Sequence, residues 1–302
     1  MTTIVARVKL PDAASWPPFG SKTLWTLVGA SAVPLWATWP LLAALTATTM
    51  PLFQYLTIIF AAGGVVLLAL PASKPAGRQA ASGARKSIWL SAVMVAVGLL
   101  VSDILFVLSL RHIPPAEANL ILYLWPVAVM LLATLLGLTK LRWHHIAGAL
   151  LGLAGAAFVI GGNVIGLSWI GTGLAAGGGL AWALFVVFRL WQGEGAPDAL
   201  PFGLLLSAAI ALAIHLTRED WVTPSPAALA GTLLVGIVPL ALGNLAWDHG
   251  VRKGNRLLLA TLAYATPLAS ALLLIFAGLA APTLGLLIGA LLIVAAGVVA
   301  AR

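Results

Sequence analysis

Apolar runs of about 18–23 residues recur from one end of the chain to the other, each long enough to cross the ~30 Å hydrocarbon core of a bilayer as a helix. No stretch alternates apolar and polar residues over the length of a barrel strand. Only helices then satisfy every backbone N–H and C=O inside lipid. Composition agrees: 62% of the 302 residues are hydrophobic and 8% are charged, too little polar surface to cover a soluble globule. The fold class predicted is an all-α membrane protein with ten transmembrane helices, at 23–46, 50–70, 88–110, 116–138, 144–161, 168–190, 199–217, 227–249, 256–277 and 283–301. Residues 1–21 read as a cytoplasmic N-terminal tail, because Pro11-Asp12 and Trp16-Pro17-Pro18 interrupt any signal-peptide core.

The net charge of +8 would suggest nucleic acid in a soluble protein. Here the cations fall in loops and read as orientation signals, so no nucleic-acid partner is expected. With the N-terminus inside, 14 of the 16 Lys and Arg residues are cytoplasmic and only Arg111 and Arg218 lie outside. Both termini and the Pro71 to Ser87 linker, rich in small residues and carrying four cations, are therefore placed in the cytoplasm.

The chain also repeats itself. A shift of 141 brings Tyr123-Leu-Trp-Pro126 onto Tyr264-Ala-Thr-Pro267, Arg111 onto Arg252, Asp103 onto Asn244, and Gly148-Ala-Leu-Leu onto Gly289-Ala-Leu-Leu. Five spans per copy is an odd number, so the second copy enters from the opposite side. The prediction is two inverted five-helix repeats, 22–162 and 163–302, with a binding site at their interface near the midplane.

Asp103 is a lone carboxylate within an apolar run, a functional-site candidate by default. It lies seven residues from Leu110, as Tyr123 lies seven from Ala116, which puts both roughly 10 Å below the membrane surface. Ser102, Phe106 and Ser109 extend Asp103 into a semi-polar strip. This strip reads as a cavity wall attracting an ammonium group or carrying a proton, or else as a neutral carboxyl hydrogen-bonded to a neighbouring helix. Asn119 and Tyr123 share a helix face, whereas Trp125 joins them only if the helix bends near Pro126. Trp16, Trp89, Trp143, Trp169 and Trp221 sit at span ends as belt residues. Trp36, Trp39, Trp182 and Trp247 lie deeper, with Trp182 and Phe185 on one face as candidates for stacking an aromatic substrate or for packing. Asn244 and Tyr264 join the candidate set as repeat equivalents of Asp103 and Tyr123.

Pro34, Pro40, Pro126, Pro239 and Pro267 lie inside apolar runs and are assigned as hinges. Gly148, Gly152 and Gly155, with Gly285, Gly289 and Gly297, form small-residue faces for close packing, either as scaffold or as a homodimer contact. Without cysteine there are no disulfides or thiolate ligands, and His144 and His145 beside Lys140 and Arg142 do not suggest a metal site. No HExxH, GxSxG, Walker or dinucleotide signature occurs, so neither a cofactor nor an enzymatic activity is expected. A membrane-embedded enzyme remains the alternative class.

These features together resemble the drug/metabolite transporter superfamily, EamA type, over residues 22–301. The resemblance rests on Ala116-Glu117-Ala118-Asn119 entering the fourth span, on Tyr123-Leu-Trp-Pro126 and its echo, and on the glycine-rich fifth and tenth spans. Where many EamA-type members place a Glu just after the fourth span, this chain has Gly137-Leu-Thr-Lys140. Its tryptophans and the Tyr-Leu-Trp-Pro stretch are most similar to exporters of aromatic amino acids. The resemblance implies a bacterial inner-membrane carrier working by alternating access, with amino acids or other small metabolites and lipophilic cations as substrates.

Overall fold

The computed structural model describes residues 21–70, 88–138, 140, 142–161, 168–192 and 199–300. The N-terminal tail and the 71–87 linker lie outside the described residues. Those described contain fourteen α-helices and one π-helical segment, and no strand. In order these are α1 (Ser21–Ala30), α2 (Ala32–Thr46), α3 (Leu52–Ala69), α4 (Ile88–Ser109), α5 (Pro115–Leu122), α6 (Trp125–Leu135), α7 (Trp143–Gly161), α8 (Trp169–Gln192), α9 (Leu200–Arg218) and α10 (Pro226–Val235). The π segment (Gly236–Gly243), α11 (Asn244–Lys253), α12 (Arg256–Ala263), α13 (Thr266–Phe276) and α14 (Leu284–Ala300) follow. Seven helical stretches are long and apolar enough to cross a membrane, and Trp143–Val159, Thr266–Phe276 and Leu284–Val299 are shorter apolar helices. The chain is a multi-pass membrane protein, and its outer surface shows the consequence. Leu135, Phe276, Trp143 and Trp169 are each at least 75% exposed, as side chains solvated by lipid can be.

Four of the five prolines coincide with irregular backbone. Pro126 cannot donate to the carbonyl four residues back, and the chain passes from α5 to α6 through a turn in which Leu124 N donates to Ile121 O at 3.1 Å. Pro267 accompanies the same break between α12 and α13, where Ala265 N donates to Leu262 O at 2.9 Å. Pro239 lies within the π segment, and Pro34 follows the Ser31 break between α1 and α2. Pro40 sits in the uninterrupted helix α2.

Two helix ends are closed identically. Gly137 (φ 70°) and Gly278 (φ 73°) take the left-handed conformation after α6 and α13. The next amide reaches back five residues in each, Leu138 N to Ala133 O at 2.8 Å and Leu279 N to Leu274 O at 2.9 Å. That is the Schellman stop, which glycine adopts without steric cost. The glycine faces of α7 and α14 pack on each other within the chain. A Cβ at Gly155 would stand 2.9 Å from Gly289 O, and one at Gly289 would overlap Val159. Gly152 is closed off by Val127 and Leu124, and Gly297 by the Tyr264 ring. These four glycines are thus occupied by intramolecular packing.

Candidate binding cavity

The breaks converge on one cavity of about 370 Å³, within the usual range for small-molecule sites. Helix α2 contributes Trp36, Trp39 and Pro40; α4 contributes Leu99, Ser102 and Asp103; α5 contributes Asn119 and Leu122. Tyr123 comes from the α5–α6 turn and Trp125 from the start of α6. The other half of the chain adds Trp182 and Val186 of α8, Pro239 and Leu240 of the π segment, Asn244 and Trp247 of α11, Ala263 and Thr266. Tyr123 and Trp125 reach the same space because the helix is interrupted between them.

The aromatic wall is made of paired rings. Trp125 stands edge-on to Trp182 at 6.3 Å between centroids, and Trp36 meets Trp247 at 5.2 Å. Asp103 is buried, and its Oδ2 has no hydrogen-bond partner among the described residues. Asn119 donates through Nδ2 to Ser270 Oγ at 3.1 Å, joining α5 to α13, and Asn244 donates through Nδ2 to Leu240 O at 2.8 Å. Among the described residues no Lys or Arg lines the cavity.

Seven of the ten predicted binding residues thus meet here: Ser102, Asp103, Asn119, Tyr123, Trp125, Trp182 and Asn244. The other three do not line it. Phe106 shares a helix face with Asp103 by spacing, yet it is fully buried behind Trp39, 4.2 Å from it between ring centroids, so the Trp39 ring stands between it and the cavity. Phe185 backs Trp182 at 5.5 Å and fills the groove over Gly98, where a Cβ would collide with it. Tyr264 lies on Gly297 of α14. Ser109 is also off the wall, buried with its hydroxyl on Phe106 O at 2.6 Å. Trp36, Trp39 and Trp247 were visible in sequence only as deep tryptophans, with nothing to relate α2 to α11.

A second polar constellation escaped the sequence reading. The Glu219 carboxylate accepts from Phe53 N (3.0 Å) and Gln54 N (3.2 Å) at the start of α3, and His215 Nδ1 lies 2.9 Å from its Oε2. Gln54 then exchanges two hydrogen bonds with Val222, at 2.6 and 3.0 Å. A carboxylate over a helix N-terminus satisfies orphan donors and opposes the dipole. This clasp fixes the end of α3 to the end of α9.

A helical membrane protein whose internal, aromatic-lined cavity has a buried carboxylate in its wall is built to hold a small molecule within the bilayer. Comparison with known proteins gives the same class. The EamA-like transporter family matches residues 23–161. The chain is 31% identical to the aromatic amino acid exporter YddG of Ancylobacter novellus, covering 93% of this chain and 98% of that one. It is 28% identical to the Escherichia coli exporter of the same name over 54% of this chain and 58% of that one. A solved crystal structure, 32% identical, superposes with a TM-score of 0.68 over 93% of this chain and 97% of the other. The chain belongs to the EamA-like transporter family.

Proposed function

We propose that the chain is an inner-membrane secondary transporter that exports amino acids, aromatic ones above all. The observation carrying this reading is the cavity itself, five tryptophans around a buried carboxylate oxygen without a partner. An amino acid presents an ammonium group to Asp103 and, when aromatic, a ring to the tryptophan walls. Its carboxylate finds no cationic side chain among the described residues of the wall and pairs instead with the Asn119 or Asn244 amide, a hydroxyl or water. The exporters to which the chain is similar are named for aromatic amino acids, which supports the same substrate class.

The mechanism in this reading is alternating access between two inverted five-helix repeats, 22–162 and 163–302. Several features separated by 141 residues support it: the broken helices at Tyr123 and Tyr264, and the Schellman stops at Gly137 and Gly278. Packing is mirrored too, with α4 against α8 in one place and α1–α2 against α10–α11 in the other, while α7 packs on its own counterpart α14. The prolines are the hinges, since a turn already lacking a hydrogen bond bends at lower cost. Both termini are cytoplasmic in this arrangement. Among the described residues the cavity carries no cationic side chain, which favours lipophilic cations as the second substrate class.

Counterflow in proteoliposomes tests the reading. Vesicles loaded with unlabelled tryptophan should accumulate labelled tryptophan and phenylalanine, in preference to alanine and to a tetraphenyl-substituted cation. Accumulation of the cation alone would transfer the assignment to the second class. Chemical conversion of the added amino acid would replace the carrier by an enzyme.

A further inference from the structure

One polar group of the cavity wall is oriented by a residue that lies behind the wall. Asn119 of α5 lines the cavity; Ser270 of α13 does not, and it has no exposed surface. The two meet through Asn119 Nδ2 and Ser270 Oγ at 3.1 Å, and the donor inventory fixes which way the amide faces. A serine hydroxyl has one proton and two lone pairs. The Ser270 hydroxyl aims its proton at the carbonyls of the first turn of α13, Thr266 O at 2.6 Å and Pro267 O at 3.5 Å. Carbonyls only accept, so the proton is engaged there and the Ser270 oxygen meets Asn119 with lone pairs alone. The amide must then present nitrogen, not oxygen, to Ser270. That nitrogen carries two N–H bonds, which diverge in the amide plane. With one on Ser270, the other is a spare donor on a residue of the cavity wall.

Position selects this donor over the Asn244 amide. The ammonium and carboxylate of an α-amino acid share one carbon, so the groups that receive them must be neighbours. Asp103 lies six residues before the end of α4 at Ser109, and Asn119 four residues after the start of α5 at Pro115. At about 1.5 Å per residue they stand roughly 9 and 6 Å below the turn that joins the two helices. Helix α5 also packs on α4. Asn244 opens α11, which packs chiefly on α1 and the π segment, and its own Nδ2 donates to Leu240 O of that segment at 2.8 Å.

We infer that the spare N–H of Asn119 receives the substrate's carboxylate, and that Ser270 is the positioning residue that holds the amide in that sense. This division of the site rests on the amino-acid reading and deepens it: Asp103 takes the ammonium, Asn119 the carboxylate on the same carbon, and the tryptophans the side chain. A carboxylate is then selected by a neutral donor that a buried hydroxyl has already oriented. Without that hydroxyl the amide is free to turn over and set its own oxygen against the carboxylate, which repels it.

The test is equilibrium binding to the full chain in nanodiscs of two radiolabelled ligands that differ only in the carboxylate, tryptophan and tryptamine. The wild-type chain should bind tryptophan the more tightly. Ser270→Ala should weaken tryptophan by about tenfold, the effect of one hydrogen bond to a charged group, and leave tryptamine little changed. Ser270→Thr keeps the hydroxyl and should keep the wild-type ratio of the two affinities. Asn119→Asp sets a like charge before the carboxylate and should abolish the preference for tryptophan; it carries the test if Ser270→Ala does not fold. A merely structural role for Ser270 would weaken both ligands alike. Equal losses in Ser270→Ala therefore overturn the inference, as does an unchanged tryptophan affinity in Ser270→Ala or in Asn119→Asp. A wild-type chain that binds tryptamine as tightly as tryptophan overturns it too. If the wild type binds neither, the aromatic assignment falls by itself, and leucine with 3-methylbutylamine repeats the comparison. A preference for leucine that Ser270→Ala removes would uphold the carboxylate contact, and no such preference would overturn it.

Discussion

Trp182→Ala puts the aromatic cavity to its sharpest test. Trp182 lies on the cavity with one neighbour, Trp125, beside it at 6.3 Å and another, Phe185, behind it at 5.5 Å. Removing the ring takes one aromatic partner from a bound indole, and such pairs contribute about 0.5–1.5 kcal/mol beyond the buried area. That range corresponds to a loss of about two- to thirteenfold in tryptophan affinity. It also withdraws the edge that holds Trp125, which places the expected effect toward the upper end. Alanine as substrate has no ring to lose, so its affinity should change little. Trp182→Phe keeps a ring and should recover most of the discrimination. The assay is half-saturation of counterflow for tryptophan and for alanine, measured in the same proteoliposome preparation for each variant. If Trp182→Ala reaches the membrane and both affinities fall in equal proportion, the ring acts through packing alone and the stacking argument is refuted.

Gly289→Val should destabilise the protein by about 1–3 kcal/mol, because its first carbon already overlaps Val159 of α7; thermal unfolding in detergent measures it, and an unchanged midpoint would mean that α7 and α14 separate freely. Glu219→Ala strips the start of α3 of a charge-assisted acceptor and leaves His215 buried without its partner, for an expected loss of about 2 kcal/mol. His215→Ala and the double variant should show non-additive losses in the same assay, since the two side chains share one hydrogen bond. For orientation, single cysteines at Ser82 and Ser168 of this cysteine-free chain should be protected and labelled, respectively, by an impermeant thiol reagent on intact cells; the opposite pattern would invert the topology. Spin labels at the exposed positions Thr48 and Pro114 should change separation when substrate is added, while labels at Phe158 and Pro282 on the α7–α14 scaffold should not; movement confined to the second pair would rule out the proline-bearing helices as gates.

Much of this molecule follows from local rules. The length of the apolar runs makes the chain helical and membrane-spanning, because lipid offers no other partner for the backbone. Asp103, Ser102, Asn119 and Tyr123 are legible as cavity residues because a polar group in such a run must face protein or water. The break that brings Trp125 beside Tyr123 is legible in Pro126, which lacks the amide a continuous helix needs. Tertiary structure decided the rest. Helical periodicity relates residues within one helix and says nothing about which face meets a neighbour, so Phe106 and Phe185, sound by spacing, became supports for Trp39 and Trp182. Tyr264, equivalent to Tyr123 by repeat, met a glycine of α14 instead of the cavity. The pairing of Trp36 with Trp247 and the hold of Glu219 on α3 both join distant segments. Their partners are chosen by how helices pack, where burial and shape act on the whole fold at once, and no local pattern in the chain encodes that choice.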